Sequence, residues 1–322
     1  MATALDIFRA LADATRLRIL ALLRMMELSV GELAQVLGQS QPRVSRHVKI
    51  LVDAGLAERR KEGSWVFVAL GEADRTGPVL AALDQWDGTG GDHWTAADAA
   101  RLAAVRADRA TAASAWFEAH AGEWDAIRSL HVAESQVEAA MATVLGDGAV
   151  GRMVDIGTGT GRMIELFGDR ATSAIGIDRS SEMLRLARAK LAESGRAADL
   201  RQADLYQLPM AAGSADLAIL HHVLHFAQQP AAAIAEAARV LAPGGRLLIV
   251  DFAPHEREEL RTAEAHARLG FSDEQMLGWF EGAGLAPVRI ETLAGGELTV
   301  TLWLARKASA TAAGKLDEVK AA

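Results

Sequence analysis

Three closely spaced glycines are the first residues in this chain whose types and spacing point to chemistry. The segment Val154–Arg162 carries glycines at positions 157, 159 and 161. Glycine lets the backbone turn sharply and lie close to a nucleotide at the beginning of a helix. A G-x-G-x-G loop is weak evidence by itself, because such turns serve several nucleotide cofactors and, in some proteins, none. The acidic residues near the loop therefore carry more of the inference.

Three aspartates stand at the ends of predicted strands, which is where open parallel sheets bind their ligands. Asp155 lies at the end of the first strand, Asp178 ends the second, and Asp204 follows the third. An acid in the second position can bind both hydroxyls of a ribose. One in the third can accept a hydrogen bond from an adenine amino group while Leu205 packs on the ring. Three carboxylates repel a pyrophosphate and suit the cationic sulfonium and ammonium groups of S-adenosylmethionine. The G-x-G-x-x-G spacing of a nicotinamide site is not met.

Three histidines follow the fourth predicted strand, where an acceptor would meet a transferable methyl group. They are His221, His222 and His225, and Asp251 ends the fifth strand. Methyl transfer depends mostly on positioning, but a base would help an acceptor hydroxyl to lose its proton. Catalysis, acceptor contact, cofactor lining, a structural role and metal binding all stay open for these residues. We predict no metal ion, because cysteine is absent and the spacing is equally that of a pocket-lining loop.

The elements that must position these residues alternate between strand and helix from Gly151 onward. The predicted strands are 152–156, 173–177, 199–203, 217–221 and 246–251, with a later pair at 287–291 and 297–305. This alternation predicts an α/β, Rossmann-like domain with a mainly parallel sheet and helices on both faces.

The first 70 residues show a different pattern, of short helices followed by a hairpin. Apolar spacing and capping residues predict helices over 5–24, with a break near Asp13, over 30–37 and over 41–54. The last two are joined by a three-residue turn containing Gly38, which is typical of a helix-turn-helix. Residues 56–70 predict a β-hairpin whose tip carries Arg60 and Lys61. The residues predicted to contact DNA are Ser40, Gln41, Arg43, Ser45, Arg46, His47, Lys49, Arg60 and Lys61.

The charge distribution agrees with this division of the chain. Residues 1–70 contain ten Lys or Arg against seven Asp or Glu, a balance of +3, whereas the whole chain carries −8. The remaining 252 residues therefore carry −11. Such asymmetry suggests that the N-terminal part faces nucleic acid and that it is joined to an acidic remainder of the chain.

Residues 5–70 resemble the ArsR/SmtB family of repressors. The resemblance rests on 8–20 (FRALADATRLRIL), on 40–51 (SQPRVSRHVKIL) and on the hairpin. It implies a winged helix-turn-helix that binds palindromic operators as a homodimer. Metal-sensing members have cysteines in the segment here written Glu27–Leu33, where this chain has Ser29 and Gly31. Thiolate sensing of arsenic or metals is therefore excluded.

Residues 115–305 resemble the class I S-adenosylmethionine-dependent methyltransferases, near the branch that methylates ubiquinone and menaquinone precursors. The matching motifs are 154–162, 176–184, 203–209, 216–223 and 241–245. The resemblance implies that Asp178 holds the ribose, Asp204 the adenine and the 155–161 loop the methionine part. The predicted cofactor-binding residues are Asp155, Gly157, Thr158, Gly159, Gly161, Asp178, Arg179, Met183, Asp204, Leu205 and His221.

Together these patterns predict a two-domain, cytoplasmic regulator. The predicted limits are 1–70 for the DNA-binding domain, 71–114 for a linker with connecting helices, 115–305 for the methyltransferase and 306–322 for a disordered tail. We expect double-stranded DNA, S-adenosylmethionine and a small-molecule methyl acceptor as partners, with S-adenosylhomocysteine as product. The alternative is a catalytically silent regulator that senses either form of the cofactor.

Overall fold

The computed structural model describes residues 3–62, 65–87, 96–105, 133–196, 198–295 and 297–309. The chain divides into two compact units, Met1–Thr111 and Ala112–Ala322. Residues 63–64 of the predicted hairpin, the glycines at 88–91 and the tail beyond residue 309 lie outside the described residues. None of the helices in the described part of the chain combines the length and apolar content that crossing a bilayer requires.

The first unit contains a helix-turn-helix followed by a hairpin. Its elements are α1 (Ala4–Leu11), α2 (Ala14–Met25), β1 (Leu28–Ser29), α3 (Val30–Leu37), α4 (Gln41–Asp53), β2 (Ala57–Glu62), β3 (Trp65–Leu70), α5 (Ala73–Asp87) and α6 (96–105). The three strands form an antiparallel sheet in the order β1-β3-β2.

Capping residues explain most of the helix limits in this unit. The Asp13 side chain accepts a hydrogen bond from the Arg16 amide, which begins α2 after the predicted break. Ser29 and Glu32 form a reciprocal capping box at the start of α3. Gly38 ends that helix in the left-handed conformation, with φ 65°. Ser40 precedes α4 as predicted, but its side chain makes no capping hydrogen bond.

The predicted position of two basic residues is wrong. Arg60 and Lys61 lie within β2, paired with Phe67 and Val66 of β3, and not at the hairpin tip. The strand extends to Glu62, which pairs with Trp65 at the start of β3.

The region after the hairpin adds to the first unit. Helix α5 spans Ala73–Asp87, within the region for which the sequence predicts connecting helices. Leu102 of α6 is fully buried in the core of this unit, and the buried Asp98 accepts from Arg18 Nε at 2.6 Å. The domain limits drawn from the sequence stay a prediction.

The second unit is a sheet covered on both faces by helices. Its elements are α7 (Glu134–Leu145), β4 (Gly151–Ile156), α8 (Arg162–Phe167), β5 (Ala171–Asp178), α9 (Ser181–Glu193), β6 (Asp199–Gln202), β7 (Ala215–His221), α10 (Pro230–Val240), β8 (Leu241–Phe252), α11 (Leu260–Ala263), α12 (Asp273–Gly282), β9 (Leu285–Leu293) and β10 (Val300–Lys307).

The sheet order is β6-β5-β4-β7-β8-β10-β9. The first five of these strands run parallel, and β10 is antiparallel to both its neighbours. Residues along β7 alternate between two apolar clusters, with Leu217 and Ile219 facing one side and Ala218 and Leu220 the other. The predicted Rossmann-like architecture is confirmed. It brings the carboxyl ends of the parallel strands to one edge of the sheet, namely those of β4, β5, β6, β7 and β8.

Candidate functional site

The glycine loop after β4 is held against the end of β5. The Gly157 and Thr158 amides donate to the Ile177 carbonyl oxygen at 2.7 and 2.9 Å. Gly157 has φ 76°, and a Cβ atom there would lie 2.4 Å from Val223 Cγ2. Only glycine fits this position without displacing Val223, so the loop lies directly against the segment that follows β7.

Two predicted acids organise this loop. Asp178 Oδ2 accepts from the Gly159 amide and Oδ1 from the Ser180 amide, both at 2.8 Å. Burial raises the pKa of Asp178, and these amide hydrogen bonds oppose the rise. Asp155 is buried and accepts from Thr158 Oγ1 at 2.6 Å. The structure thus brings Asp155, Thr158, Gly159 and Asp178 together, as the sequence predicted.

The other predicted cofactor residues lie around the ends of β5 and β6. Asp204 is exposed and its Oδ1 accepts from the Tyr206 amide at 3.0 Å, while Leu205 is half-buried. The Ala203 amide donates to the Asp178 carbonyl oxygen at 3.0 Å, which ties the two strand ends together. Arg179 is exposed, whereas Met183 of α9 is buried. Their contacts with a cofactor stay predictions.

The histidines cluster at the ends of β7 and β8. His221 is the last residue of β7, and its Nε2 lies 3.6 Å from Glu134 Oε1 of α7. His225 Nδ1 lies 2.8 Å from Asp251 Oδ1, and the His225 amide donates to Asp251 Oδ2 at 3.2 Å. The Phe252 amide donates to Asp251 Oδ1 at 2.8 Å. Burial raises the pKa of Asp251.

Two further histidines join this cluster that the sequence did not single out. The His266 ring lies 4.3 Å from that of His225, and 6.4 Å from that of His255, between ring centroids. Burial, with the nearby His225, lowers the pKa of His266 to about 4. His255 lies four residues after Asp251, close to the end of a strand, and this position in the sequence was the signal that could have pointed to its membership of the cluster. No pattern in the sequence around His266 points to its membership of the cluster.

In the first unit, helix α4 divides cleanly into a buried and an exposed face. Val44, Val48 and Leu51 are completely buried. The predicted DNA-contacting residues Ser40, Gln41, Arg43, Arg46 and Lys49 are exposed, and Ser45 is half-buried. The polar face of α4 is therefore presented as expected for a recognition helix.

Three predicted DNA contacts have partners within the unit. His47 is half-buried, its Nδ1 lies 3.6 Å from Asp13 Oδ1, and burial lowers its pKa. Lys49 Nζ pairs with Asp53 Oδ2 at 2.7 Å on the surface of α4. Arg60 Nη2 pairs with Glu27 Oε1 at 2.8 Å. Lys61 is exposed.

Arg59 is not among the residues that the sequence predicts to contact DNA, yet it connects the hairpin to α4. Its Nη2 donates to the Ser45 carbonyl oxygen at 2.7 Å, joining β2 to α4. It lines an open groove of about 670 Å³ together with Ser29, Val30, Gly31, Glu32, Gln41, Pro42, Ser45, Trp65 and Val66. In a strand, alternate side chains point to opposite faces, so the choice between Arg59 and Arg60 required the register of the hairpin.

Comparison with known proteins identifies both units. Residues 13–59 match the family model of the bacterial regulatory proteins of the arsR family, and residues 154–249 match a methyltransferase domain. The arsenical resistance operon repressor of Escherichia coli is 46% identical over 67 residues, which are 20% of this chain and 57% of the repressor. The HTH-type transcriptional regulator MJ1325 of Methanocaldococcus jannaschii is 37% identical over 83 residues, 26% of this chain and 92% of that regulator. The chain belongs to the arsR family.

This arsR-family chain also has relatives through its second unit. The ubiquinone/menaquinone biosynthesis C-methyltransferase UbiE of Syntrophotalea carbinolica is 40% identical over 105 residues, 32% of this chain and 44% of the enzyme. A methyltransferase of Haloferax volcanii, solved with the Trm112 methyltransferase activator, superposes with a TM-score of 0.51 at 18% identity. That match covers 60% of this chain and 97% of the other, and it shows the fold. The chain spans 57% of the E. coli repressor and 44% of the UbiE relative.

Proposed function

We propose that this arsR-family protein is a transcriptional regulator whose second unit transfers a methyl group from S-adenosylmethionine to a small-molecule acceptor. The observation that carries the proposal is the meeting of the glycine loop, Asp178 and the buried His225–Asp251 pair at one edge of a methyltransferase sheet. The likeness to UbiE supports an acceptor from the chemical class of quinone precursors.

The residues present fit S-adenosylmethionine by their shape and chemistry. Gly157, Gly159 and Gly161 have φ values of 76°, 52° and 85°, so the loop turns sharply at the end of β4 and places no side chain at these three positions between its backbone and a ligand. Asp178 would bind the ribose hydroxyls and Asp204 the adenine amino group, while the acidic surroundings favour the cationic methionine part. The cofactor supplies an electrophilic methyl group.

The histidine cluster gives the second unit groups that can promote loss of a proton from the methyl acceptor. A hydroxyl acceptor must lose a proton as it is methylated, and the buried His222, His225 and Asp251 are placed to promote that loss. A protein that only senses the cofactor has no need of a buried His–carboxylate pair beside the loop, and this favours turnover.

The test of turnover begins with the small molecule that copurifies with the full-length protein, identified by mass spectrometry. The protein is then incubated with S-adenosylmethionine, with and without a small-molecule cell extract, and S-adenosylhomocysteine is measured over time. Extract-dependent release of S-adenosylhomocysteine supports the enzyme. Cofactor binding without any release would leave a silent sensor.

In the first unit we propose that α4 enters the major groove of an operator bound by a dimer. Gln41, Arg43 and Arg46 would face base edges, and Lys61 and Arg59 would reach phosphates beside the groove. Support comes from the exposed polar face of α4 and from the Arg59–Ser45 hydrogen bond, which holds the hairpin against the helix.

Replacing Arg46 by alanine should weaken operator binding by about 1–3 kcal/mol and relax its sequence preference, because a base contact is lost. Lys61→Ala should weaken binding to all duplexes about equally and reduce the salt dependence, because a phosphate contact is lost. Binding is measured with the selected operator and a scrambled duplex across a series of salt concentrations.

The matched control is Arg60→Gln, on the same strand as Lys61. Because Arg60 pairs with Glu27, its replacement should leave the salt dependence unchanged. Equal loss on both duplexes for Arg46→Ala would remove α4 from base recognition. A salt slope altered by Arg60→Gln but not by Lys61→Ala would reverse the assignment on β2.

A further inference from the structure

Three buried side chains at the ends of β7 and β8 form a group with the geometry of a metal site. The ligating atoms of His222, His225 and Asp251 all lie within 4.8 Å of one another. Their exposed fractions are 4%, 2% and 0%. The two strands are neighbours and parallel, so the fold itself brings the histidine segment beside the aspartate.

The backbone at His222 indicates that this arrangement is maintained against a conformational cost. His222 has φ 52°, in the left-handed region that residues other than glycine rarely occupy. Its amide donates to the Val250 carbonyl oxygen at 2.8 Å, which turns the chain immediately after β7. The turn places His222 and His225 on the same side, with ring centroids 6.2 Å apart. Backbone strain of this kind concentrates at functional sites.

The third member of the group, Asp251, is a buried carboxyl. Its carboxylate is fully buried, accepts hydrogen bonds from the amides of His225 and Phe252, and lies 2.8 Å from Nδ1 of the His225 ring. A buried carboxylate is stable when it is paired with a cation or coordinates a metal. The aromatic rings of Phe252 and His266 pack beside the cluster, at 4.9 Å from His222 and 4.3 Å from His225.

We propose that His222, His225 and Asp251 bind one divalent transition metal ion, zinc or an ion of similar preference. Two imidazoles and one carboxylate suit zinc, iron, nickel or cobalt, whereas magnesium and calcium prefer oxygen ligands only. Three protein ligands leave a position for another molecule, as in catalytic zinc sites. This site replaces the sequence-based expectation of no metal.

The role proposed for the metal ion rests on the proposed methyl transfer, whereas the binding of the metal ion does not. An acceptor hydroxyl bound at the open position would lose its proton more readily, because a metal ion stabilises the oxyanion. The His266 ring packs beside that of His225, with centroids 4.3 Å apart and planes tilted by 43°, and it restricts the ring of this ligand. Metal binding can be measured without any acceptor, so failure of one proposal is distinguishable from failure of the other.

The test uses full-length protein stripped of metal and titrated with Co²⁺ while visible absorption is recorded. The wild type should bind one Co²⁺ per chain with the absorption of an ion in a low-symmetry nitrogen and oxygen site. His222→Asn and Asp251→Asn should lose this absorption. Asparagine tolerates a positive φ, so His222→Asn removes the imidazole while the turn is kept. His47→Asn, which changes a histidine of the first unit, should titrate like the wild type.

Folding of each variant is checked by binding of S-adenosylhomocysteine, which the glycine loop and Asp178 should still support. Wild-type protein that gives no Co²⁺ absorption would overturn the metal site. So would His222→Asn and Asp251→Asn proteins that bind Co²⁺ as the wild type does. In either case His225 and Asp251 would be a metal-free hydrogen-bonded pair.

Discussion

Asp178→Ala should weaken the binding of S-adenosylhomocysteine by roughly one to two orders of magnitude. The substitution removes the proposed acceptor for both ribose hydroxyls and leaves those donors without a partner. It also removes the oxygen that accepts from the Gly159 amide at 2.8 Å, so the glycine loop loses one of its hydrogen bonds to β5. Isothermal titration calorimetry of the full-length protein measures the change.

Asp199→Ala is the matched control for this prediction. Asp199 begins the neighbouring strand β6, is exposed, and pairs with Arg201 at 2.5 Å. It lies at the opposite end of the strand from the proposed site, so its replacement should leave the affinity unchanged. Asp178→Asn separates loss of the ribose contact from loss of the hydrogen bond to the glycine loop, because the side-chain oxygen of asparagine can still accept one hydrogen bond. Wild-type affinity in Asp178→Ala would show that this acid does not contact the ligand.

The elements that the sequence predicted best are those with local causes. The capping box of Ser29 and Glu32 and the left-handed Gly38 fix α3 within a few residues, and the structure has both. The alternation of apolar strands with helices was sufficient for the second unit because each strand is short and bounded by turns. The glycine loop and Asp178 followed from the same local pattern.

The elements that the sequence missed depend on pairing across the chain. The turn of the β2–β3 hairpin depends on register, so the sequence did not reveal that Arg60 lies within β2 and pairs with Glu27. His47 follows the polar spacing of α4, yet it lies on the flank of the helix that faces Asp13. The sequence named Asp251 at a strand end but not its pairing with His225, and it did not single out His266. These residues lie 26 and 41 positions from His225, and the folded sheet and the segment after it bring them together.

We expect the cofactor to be the regulatory signal of this protein, because the chain has no cysteine for the thiolate site that the ArsR/SmtB resemblance implies for metal-sensing members. A ligand shifts the balance between DNA-competent and incompetent states only when it binds them with different affinities. Couplings of this kind are typically about 1–3 kcal/mol. We therefore expect operator affinity to change about 5–150-fold on saturation with S-adenosylmethionine or S-adenosylhomocysteine.

The measurement uses an operator selected from a random duplex pool with the ligand-free protein. Fluorescence anisotropy then gives its affinity without ligand, with S-adenosylmethionine and with S-adenosylhomocysteine. Asp178→Ala protein is the control, because weakened cofactor binding should remove the response at the same ligand concentration while the DNA-binding residues are unchanged. A difference between the two ligands would mean that turnover itself reports to the operator. Three superimposed curves for the wild type would show that the cofactor is not the signal, and the methyl acceptor would then be the ligand to test.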